Sequence, residues 1–235
     1  MAEMESIPYK SIVGRLLYIS ITARPDISPA VSQVGRFCHN PGLAHWEAVI
    51  RIVLYLKGTQ HLSLKLGGKH NGIKIAAYAD ADWAGETDTR RSRTGYTIFI
   101  NDSLVIWCSK LQISVALSTM EAEYISVSAT SQEVIWGRTF LRELGFEQED
   151  PNIIFEDNKS CIDISTSYKQ HSGAKHIDLR YHFIRDCVLN QKDIELEKKA
   201  TGDMVADLMT KQLPYPAFSK YRHALGMVQF REVLK

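Results

Sequence analysis

The sequence predicts an α/β protein preceded by a mostly helical segment, on three observations. Apolar residues recur at helical spacing through residues 8–67; short strand-like runs alternate with helical stretches over 73–213; and Gly67-Gly68-Lys69-His70-Asn71-Gly72 reads as a linker between the two. The expected division is therefore 1–67, 73–213 and a C-terminal tail, 214–235. With 235 residues and 45% hydrophobic content, the chain can bury one substantial core or two small ones.

Ile12, Leu16, Leu17 and Ile19 line one side of a first helix, and Arg24-Pro25-Asp26-Ile27 ends it and opens another. Proline suits a first helical turn, where no backbone N–H is needed, and it pushes the preceding residue out of the helical region. Pro41-Gly42 is a turn. Trp46, Val49, Ile50, Val53, Leu54 and Leu56 form the apolar side of a third helix ending near Lys57-Gly58, and His61-Leu62-Ser63-Leu64-Lys65-Leu66 alternates like a strand. Beyond the linker, strands are expected at 73–79, 94–100 and 104–108, the last two turning through Asn101-Asp102-Ser103 as an antiparallel hairpin. Ser118-Thr119-Met120-Glu121 has capping-box spacing, and its helix runs to Leu144, where Gly145 is the stop signal. Pro151 precedes a strand at 152–156, and Asn158 is placed to cap the next helix. A helix across 176–190, a strand at 193–198 and a helix over 203–212 follow, with Pro214 and Pro216 as terminators. Trp83, Trp107 and Trp136 read as core residues.

Cys38, Cys108, Cys161 and Cys187 show no C-x-x-C spacing, which suits buried thiols in a reducing compartment. His176 and His182 are six apart and so do not share a helical face, which argues against a zinc site. With 28 basic and 27 acidic residues the formal net charge is +1, which excludes a strongly basic nucleic-acid arm but leaves room for a local cationic groove. No apolar run approaches the roughly 18 residues of a membrane helix. The acidic start Met1-Ala2-Glu3-Met4-Glu5-Ser6 makes a poor secretory signal. No membrane association is expected, and an intracellular location, cytoplasmic or nuclear, is.

Asp80 ends the apolar run 73–79, Asp157 ends the run 152–156, and Glu123 and Asp207 lie in predicted helices. Singly, each has a bland role: a turn residue, a helix cap, a solvated acid, an acid favoured by a helix dipole. Together they match the needs of phosphodiester hydrolysis, where two cations about 3.5–4 Å apart activate water and hold the leaving oxygen. Magnesium takes oxygen ligands and keeps some waters, so three or four carboxylates suffice. Packing such acids together without metal is unfavourable, because like charges raise each other's pKa values. Asp82, Glu121 and Glu156 are read as supporting or solvated neighbours, although the residues alone leave Asp80 and Asp82 both open as the first ligand, and the choice of Asp80 rests on resemblance to a known family.

Tyr78-Ala79-Asp80-Ala81-Asp82-Trp83-Ala84-Gly85, Arg90-Arg91-Ser92-Arg93-Thr94-Gly95-Tyr96, Ser118-Thr119-Met120-Glu121-Ala122-Glu123-Tyr124, Glu156-Asp157-Asn158 and Val205-Ala206-Asp207-Leu208-Met209-Thr210-Lys211 follow one another in a telling order. So do Ile106-Trp107-Cys108-Ser109-Lys110-Leu111-Gln112 and the stretch from Lys175-His176-Ile177-Asp178 to Arg185. In these segments the chain resembles the ribonuclease H end of a copia-type retrotransposon polyprotein. Pro8-Tyr9-Lys10-Ser11-Ile12-Val13-Gly14, Arg24-Pro25-Asp26-Ile27 and His45-Trp46-Glu47-Ala48-Val49 resemble the segment joining reverse transcriptase to it. The resemblance implies a ribonuclease H-like fold, a mixed five-stranded sheet flanked by helices. It also implies an acidic tetrad, Asp80, Glu123, Asp157 and Asp207, holding two Mg2+ ions, with Mn2+ as a substitute. The implied partners are an RNA–DNA hybrid and, in the parent polyprotein, reverse transcriptase. Ser126, Cys108 and Gln212 depart from the family pattern without falling on an acid. The loop Lys198-Lys199-Ala200-Thr201-Gly202-Asp203 lacks the histidine that related enzymes often carry before the last acid.

A hybrid is bound through phosphates and 2′-hydroxyls. The candidates are Arg90, Arg91 and Arg93, Asn158 beside the third acid, and Lys175, His176, Arg180 and Arg185. A second functional class is a domesticated interaction protein, such as a secreted oomycete effector of the R-x-L-R type acting on a host protein inside host cells. Strict R-x-L-R is absent and Arg15-Leu16-Leu17-Tyr18 is a degenerate match. A third is an inactive relic.

Overall fold

A computed structural model describes residues 4, 6–67, 72–167 and 178–230. They form two compact units, one drawing on both chain ends, Met1–Leu66 with Leu213–Lys235, the other being Gly67–Gln212.

In the first unit, α1 (Tyr9–Thr22) buries Tyr9, Val13, Leu16 and Ser20. The seam is rotated from the expected one, and Leu17 lies outside it, exposed. Tyr9 sets that rotation, for its hydroxyl donates to the Val34 carbonyl at 2.8 Å at the end of α2 (Ser28–Gly35). In α3 (Leu43–Gly58), Val49 and Ile52 are buried with Leu56 partly so, following one line of helical spacing. Ile50, Val53 and Leu54 fall off that line and are exposed, contrary to expectation. Between α1 and α2, the buried Arg24 grips Asp26 with two bonds, Nε to Oδ1 at 2.9 Å and Nη2 to Oδ2 at 2.8 Å. Tyr55 donates to the same Oδ2 at 2.6 Å and Arg24 donates to the Thr59 hydroxyl at 2.7 Å. These added bonds offset the desolvation that two buried charges incur. The short strand β1 (Leu62–Leu64) follows.

The second unit is built on a five-stranded sheet. Its strands are β2 (Ile75–Asp82), β3 (Arg93–Ile100), β4 (Ser103–Leu111), β5 (Asn152–Glu156) and β6 (Ile194–Lys198), in the order β4-β3-β2-β5-β6. β2, β3 and β4 pair antiparallel, whereas β5 lies parallel to both β2 and β6. A mixed five-stranded sheet flanked by helices is the architecture that the resemblance implies. Asn101 and Asp102 both adopt positive φ, 48° and 61°, as a two-residue hairpin turn demands. The helix α4 (Thr119–Glu143) covers one face of the sheet, meeting Ile75, Ala77 and Ala79, and the two alanines let it approach closely. Ser118 caps it, its hydroxyl accepting from the Glu121 N–H at 3.1 Å, while the Glu121 carboxylate accepts from Leu117 N–H at 2.7 Å. Gly145, at φ 87°, ends it. Trp136 is 56% exposed on the outer side of α4, stacked on Phe140, and Trp83 is also exposed; neither is a core residue.

After β5 come α5 (Lys159–Ser165) and α6 (Asp178–Arg185), which leads into a wider turn over Asp186–Asn190. Residues 168–177, the start of the predicted 176–190 helix included, lie outside the described residues. The helix expected at 203–212 is much shorter, α7 (Asp207–Thr210), because Met204 and Lys211 both take extended backbone. The chain then returns to the first unit. The segment set apart as a tail forms α8 (Tyr215–Ala224) and β7 (Met227–Gln229), and β7 pairs antiparallel with β1. Arg222 of α8 donates to the Tyr55 hydroxyl at 3.1 Å, extending the Arg24–Asp26 network. Among the described residues no helix is long and apolar enough to cross a membrane.

Candidate active site

The site forms where the strand order reverses. β2 and β5 run parallel, and their pairing ends at Tyr78 opposite Phe155. Beyond that pair the carboxyl ends part, which is where open α/β sheets bind ligands. Asp80 lies two residues further along β2, on the same side as Tyr78. It stands inside the strand and not at its end, because β3 continues the pairing to Asp82 opposite Arg93. Asp157 directly follows β5. Glu123 reaches in from the first turns of α4. Ligand oxygens of Asp80, Glu123 and Asp157 all lie within 4.8 Å of one another. Asp80 and not Asp82 is the β2 acid in this group.

Asp207, the first residue of α7, approaches from the face opposite α4. Its approach depends on Gly95, which pairs with Asp80 in the sheet. A Cβ at Gly95 would press into the Thr210 methyl and come within 2.7 Å of Met209 Cβ. Ser109 on β4 fixes α7 further, donating to the Met209 carbonyl at 2.6 Å. Gly95→Ala is therefore expected to displace α7, lowering stability by about 1–3 kcal/mol. A melting curve and a urea titration would measure the loss, and an unchanged midpoint would count against so close a fit.

Groups that the sequence reading gave no role complete the arrangement. Lys211 Nζ donates to Asp80 Oδ1 at 3.0 Å and to Asp207 Oδ1 at 2.6 Å. The Thr210 hydroxyl donates to the other Asp80 oxygen. Thr201, from the loop that lacks a histidine, donates to Asp157 Oδ2 at 2.9 Å. Ser126 touches the site after all, its hydroxyl donating to the Asp80 carbonyl at 2.8 Å.

Electrostatically the cluster is strained. Burial first, then the charges of Glu156, Asp80 and Asp157, push the Glu123 carboxyl far above the usual carboxylate range. Glu156, read from sequence as supporting or solvated, is fully buried. Its desolvation, aided by Asp157 and Asp80, raises it to about 8 against the relief of the Asn158 N–H. Burial and Asp80 likewise raise Asp207 to about 6, although Lys211 opposes them. Burial alone would favour neutral Lys211, but Asp80 and Asp207 outweigh it and hold the ammonium charged. Glu123 Oε2 and Glu156 Oε2 are buried with no hydrogen-bond partner among the described residues. Unpartnered carboxylate oxygens in a converging acidic group fit a divalent cation, which takes oxygen ligands and neutralises them.

The basic candidates divide. Arg90 and Arg91 are exposed on the turn joining β2 to β3, at the acid end of the sheet. Arg93 is not with them: it is buried and donates to the Ser109 hydroxyl at 3.3 Å, since it sits within β3. The Asn158 side chain caps α5, accepting from Cys161 N–H at 3.2 Å. Arg180 is exposed on α6, and Arg185 lies over the Tyr181 ring, 5.5 Å from its centroid. Tyr181 stacks on Tyr124 of α4, which places α6 against the turn that carries Glu123. Lys175 and His176 lie outside the described residues.

No family model matches the chain. It is 43% identical over 224 residues to the retrovirus-related Pol polyprotein from transposon TNT 1-94 of Nicotiana tabacum, a match covering 95% of this chain and 17% of that protein. The chain thus spans about a sixth of the length of that polyprotein. It is also 40% identical over 133 residues to secreted RxLR effector protein 161 of Plasmopara viticola, covering 57% of this chain and 93% of that one. Among solved structures, LC11 ribonuclease H1, isolated from compost, is 12% identical with a TM-score of 0.45, covering 63% of this chain and 96% of that one.

Proposed function

Because the chain belongs to the family of retrovirus-related Pol polyproteins from copia-type transposons and carries its ribonuclease H-like domain, we propose that it hydrolyses the RNA strand of RNA–DNA hybrids with the help of divalent metal, magnesium or manganese. The observation that carries this reading is the convergence of Asp80, Glu123 and Asp157, with Asp207 beside them, at the opening between β2 and β5. Bound there, the metal would stabilise the charge that develops on phosphorus and favour ionised water as the nucleophile.

The chain's own groups prepare that site. Thr201 holds Asp157 by one oxygen, and the Thr210 hydroxyl and Ser126 hold the side chain and backbone of Asp80. Held in this way, these acids are oriented before substrate arrives, so little reorganisation is needed at the reacting phosphate. The exposure of Arg90 and Arg91 at the acid end of the sheet supports a role for them at phosphates of the hybrid, with Arg180 on α6 as a further proposed contact. Lys175 and His176 remain proposed contacts on sequence grounds.

The test is incubation of the purified chain with labelled RNA–DNA hybrid and magnesium, beside Asp157→Asn. Cleavage of the RNA strand that the substitution abolishes supports the reading; no cleavage by the unsubstituted chain sinks it. The similarity to an RxLR effector favours a second reading, an interaction protein with a host partner. Binding to host protein that Asp157→Asn leaves unchanged would support that instead.

A further inference from the structure

We propose that the outer face of α4, around Trp136, Phe140 and Leu144, is a docking site for a helix of another protein that carries apolar and basic side chains on one face. This face lies outside the acidic group, and its role does not depend on what that group does.

The helix is apolar on two sides. One side, with Val127, Val134 and Leu141, is buried in the core over the sheet. Trp136, Phe140 and Leu144 form a second stripe, each four residues after the last, and stand exposed among the described residues. A lone exposed apolar side chain is ordinary. Three in a row, on a helix whose other side is already buried, mark a face that something covers. The row is also ordered: the Trp136 and Phe140 rings stack at 5.4 Å with 7° between their planes, which makes one flat platform. A Schellman turn closes the helix beyond it, Gly145 N–H donating to the Arg142 carbonyl at 3.0 Å and Phe146 N–H to the Leu141 carbonyl at 2.8 Å. That closure returns the exposed Phe146 to the last turn and adds to the apolar surface there.

Charge and shape identify the occupant. Glu143, Glu147, Glu149 and Asp150 are exposed at this end of α4 against a single exposed Arg142, and the carbonyl end of the helix adds negative potential. Arg138, on the same helix, is held by Asp193 at 3.1 Å. A phosphate backbone would be repelled here. The stripe also lies about 25 Å along α4 from Glu123, so a hybrid seated on the acids has no need of it. The same face on a second copy would set acids against acids. A partner helix with apolar residues at i and i+4 fits its ridge between those of α4, and flanking lysines or arginines meet the acids. Its own three turns are enough to cover a stripe about 12 Å long.

Fluorescence anisotropy of a labelled model peptide titrated with the full chain tests this apart from activity. The probe is a helix of about 18 residues, long enough to fold, with leucine at i and i+4 and lysine beside them; its control has glutamate for every lysine. The lysine peptide is expected to bind and the glutamate peptide not to. Trp136→Ser should weaken the lysine peptide by at least about tenfold, as loss of a central aromatic anchor does. Glu143→Lys with Glu147→Lys should exchange the preference, so that the glutamate peptide binds and the lysine peptide does not. All three positions are exposed, and an unchanged melting temperature shows that each variant keeps its fold. No binding of either peptide, equal binding of both, or binding indifferent to Trp136→Ser would overturn the proposal. Self-association in sedimentation that Trp136→Ser abolishes would give the face to a second copy, and displacement of the peptide by RNA–DNA hybrid would give it to nucleic acid; either result overturns it too.

Discussion

Asp80→Asn is expected to reduce hybrid cleavage by on the order of a thousandfold, equivalent to about 4 kcal/mol of lost transition-state stabilisation, while raising the melting temperature of the metal-free protein. The first effect follows from position. Asp80 belongs to the triad and also meets Lys211, so one neutral amide weakens the proposed metal site and the contact with the ammonium at once. The second follows from the neighbours. Asp80 is among the charges that push up Glu123, Glu156, Asp207 and Asp82, so removing it relieves four carboxyls. Against that stand one ion pair with Lys211, which keeps its shorter contact to Asp207, and the bond from the Thr210 hydroxyl to the other Asp80 oxygen. Relief outweighs loss, and a rise of a few degrees is expected. A substitution that merely damaged the fold would lower activity and melting temperature together. Retention of more than a tenth of the activity would remove Asp80 from the chemistry.

Much of this arrangement was legible in the chain, for reasons that differ by element. The hairpin turn at Asn101-Asp102, the cap at Ser118 and the stop at Gly145 are local: each depends on a residue whose backbone or side chain suits that position alone. The buried faces of α1 and α3 were misjudged because helical spacing gives the period of a stripe but not its phase. Tyr9 bonding to Val34 across 25 residues sets that phase in α1. Glu156 was underrated for a related reason. A carboxylate beside an exposed-looking motif reads as solvated, and only the sheet's alternation turns it inward, with an oxygen left unpartnered. Lys211 and Thr210 were quoted within a motif without a role, since nothing in the sequence shows that they meet Asp80, some 130 residues away. Gly95 gave a signal that was available: a glycine inside a strand often marks a close approach of another backbone.

Stability of the metal-free protein is expected to fall as pH rises from about 5.5 to 8.5, and divalent metal is expected to reverse the trend. Ordinary carboxyls in an unfolded chain release their protons near about 4.3. In the folded protein burial and mutual repulsion hold protons on Asp207 to about 6, on Glu156 to about 8, and on Glu123 higher still. Between these limits the folded state binds more protons than the unfolded one, so each upward step in pH favours unfolding. Stability is fully present below the unfolded value and is lost progressively as pH passes the folded values. A decrease in melting temperature of about 5 °C across the window is the expected scale, since 1 kcal/mol shifts a domain of this size by about 2–4 °C. A bound cation replaces those protons, so magnesium or manganese should stabilise more at pH 8.5 than at 5.5. Glu156→Gln removes one of the buried charges without removing volume, and it should flatten the metal-free curve. Melting temperatures that hold constant or climb with pH, with no gain from metal at the alkaline end, would mean that the carboxyls are not packed as tightly as their geometry requires, and the cation site would lose its physical basis.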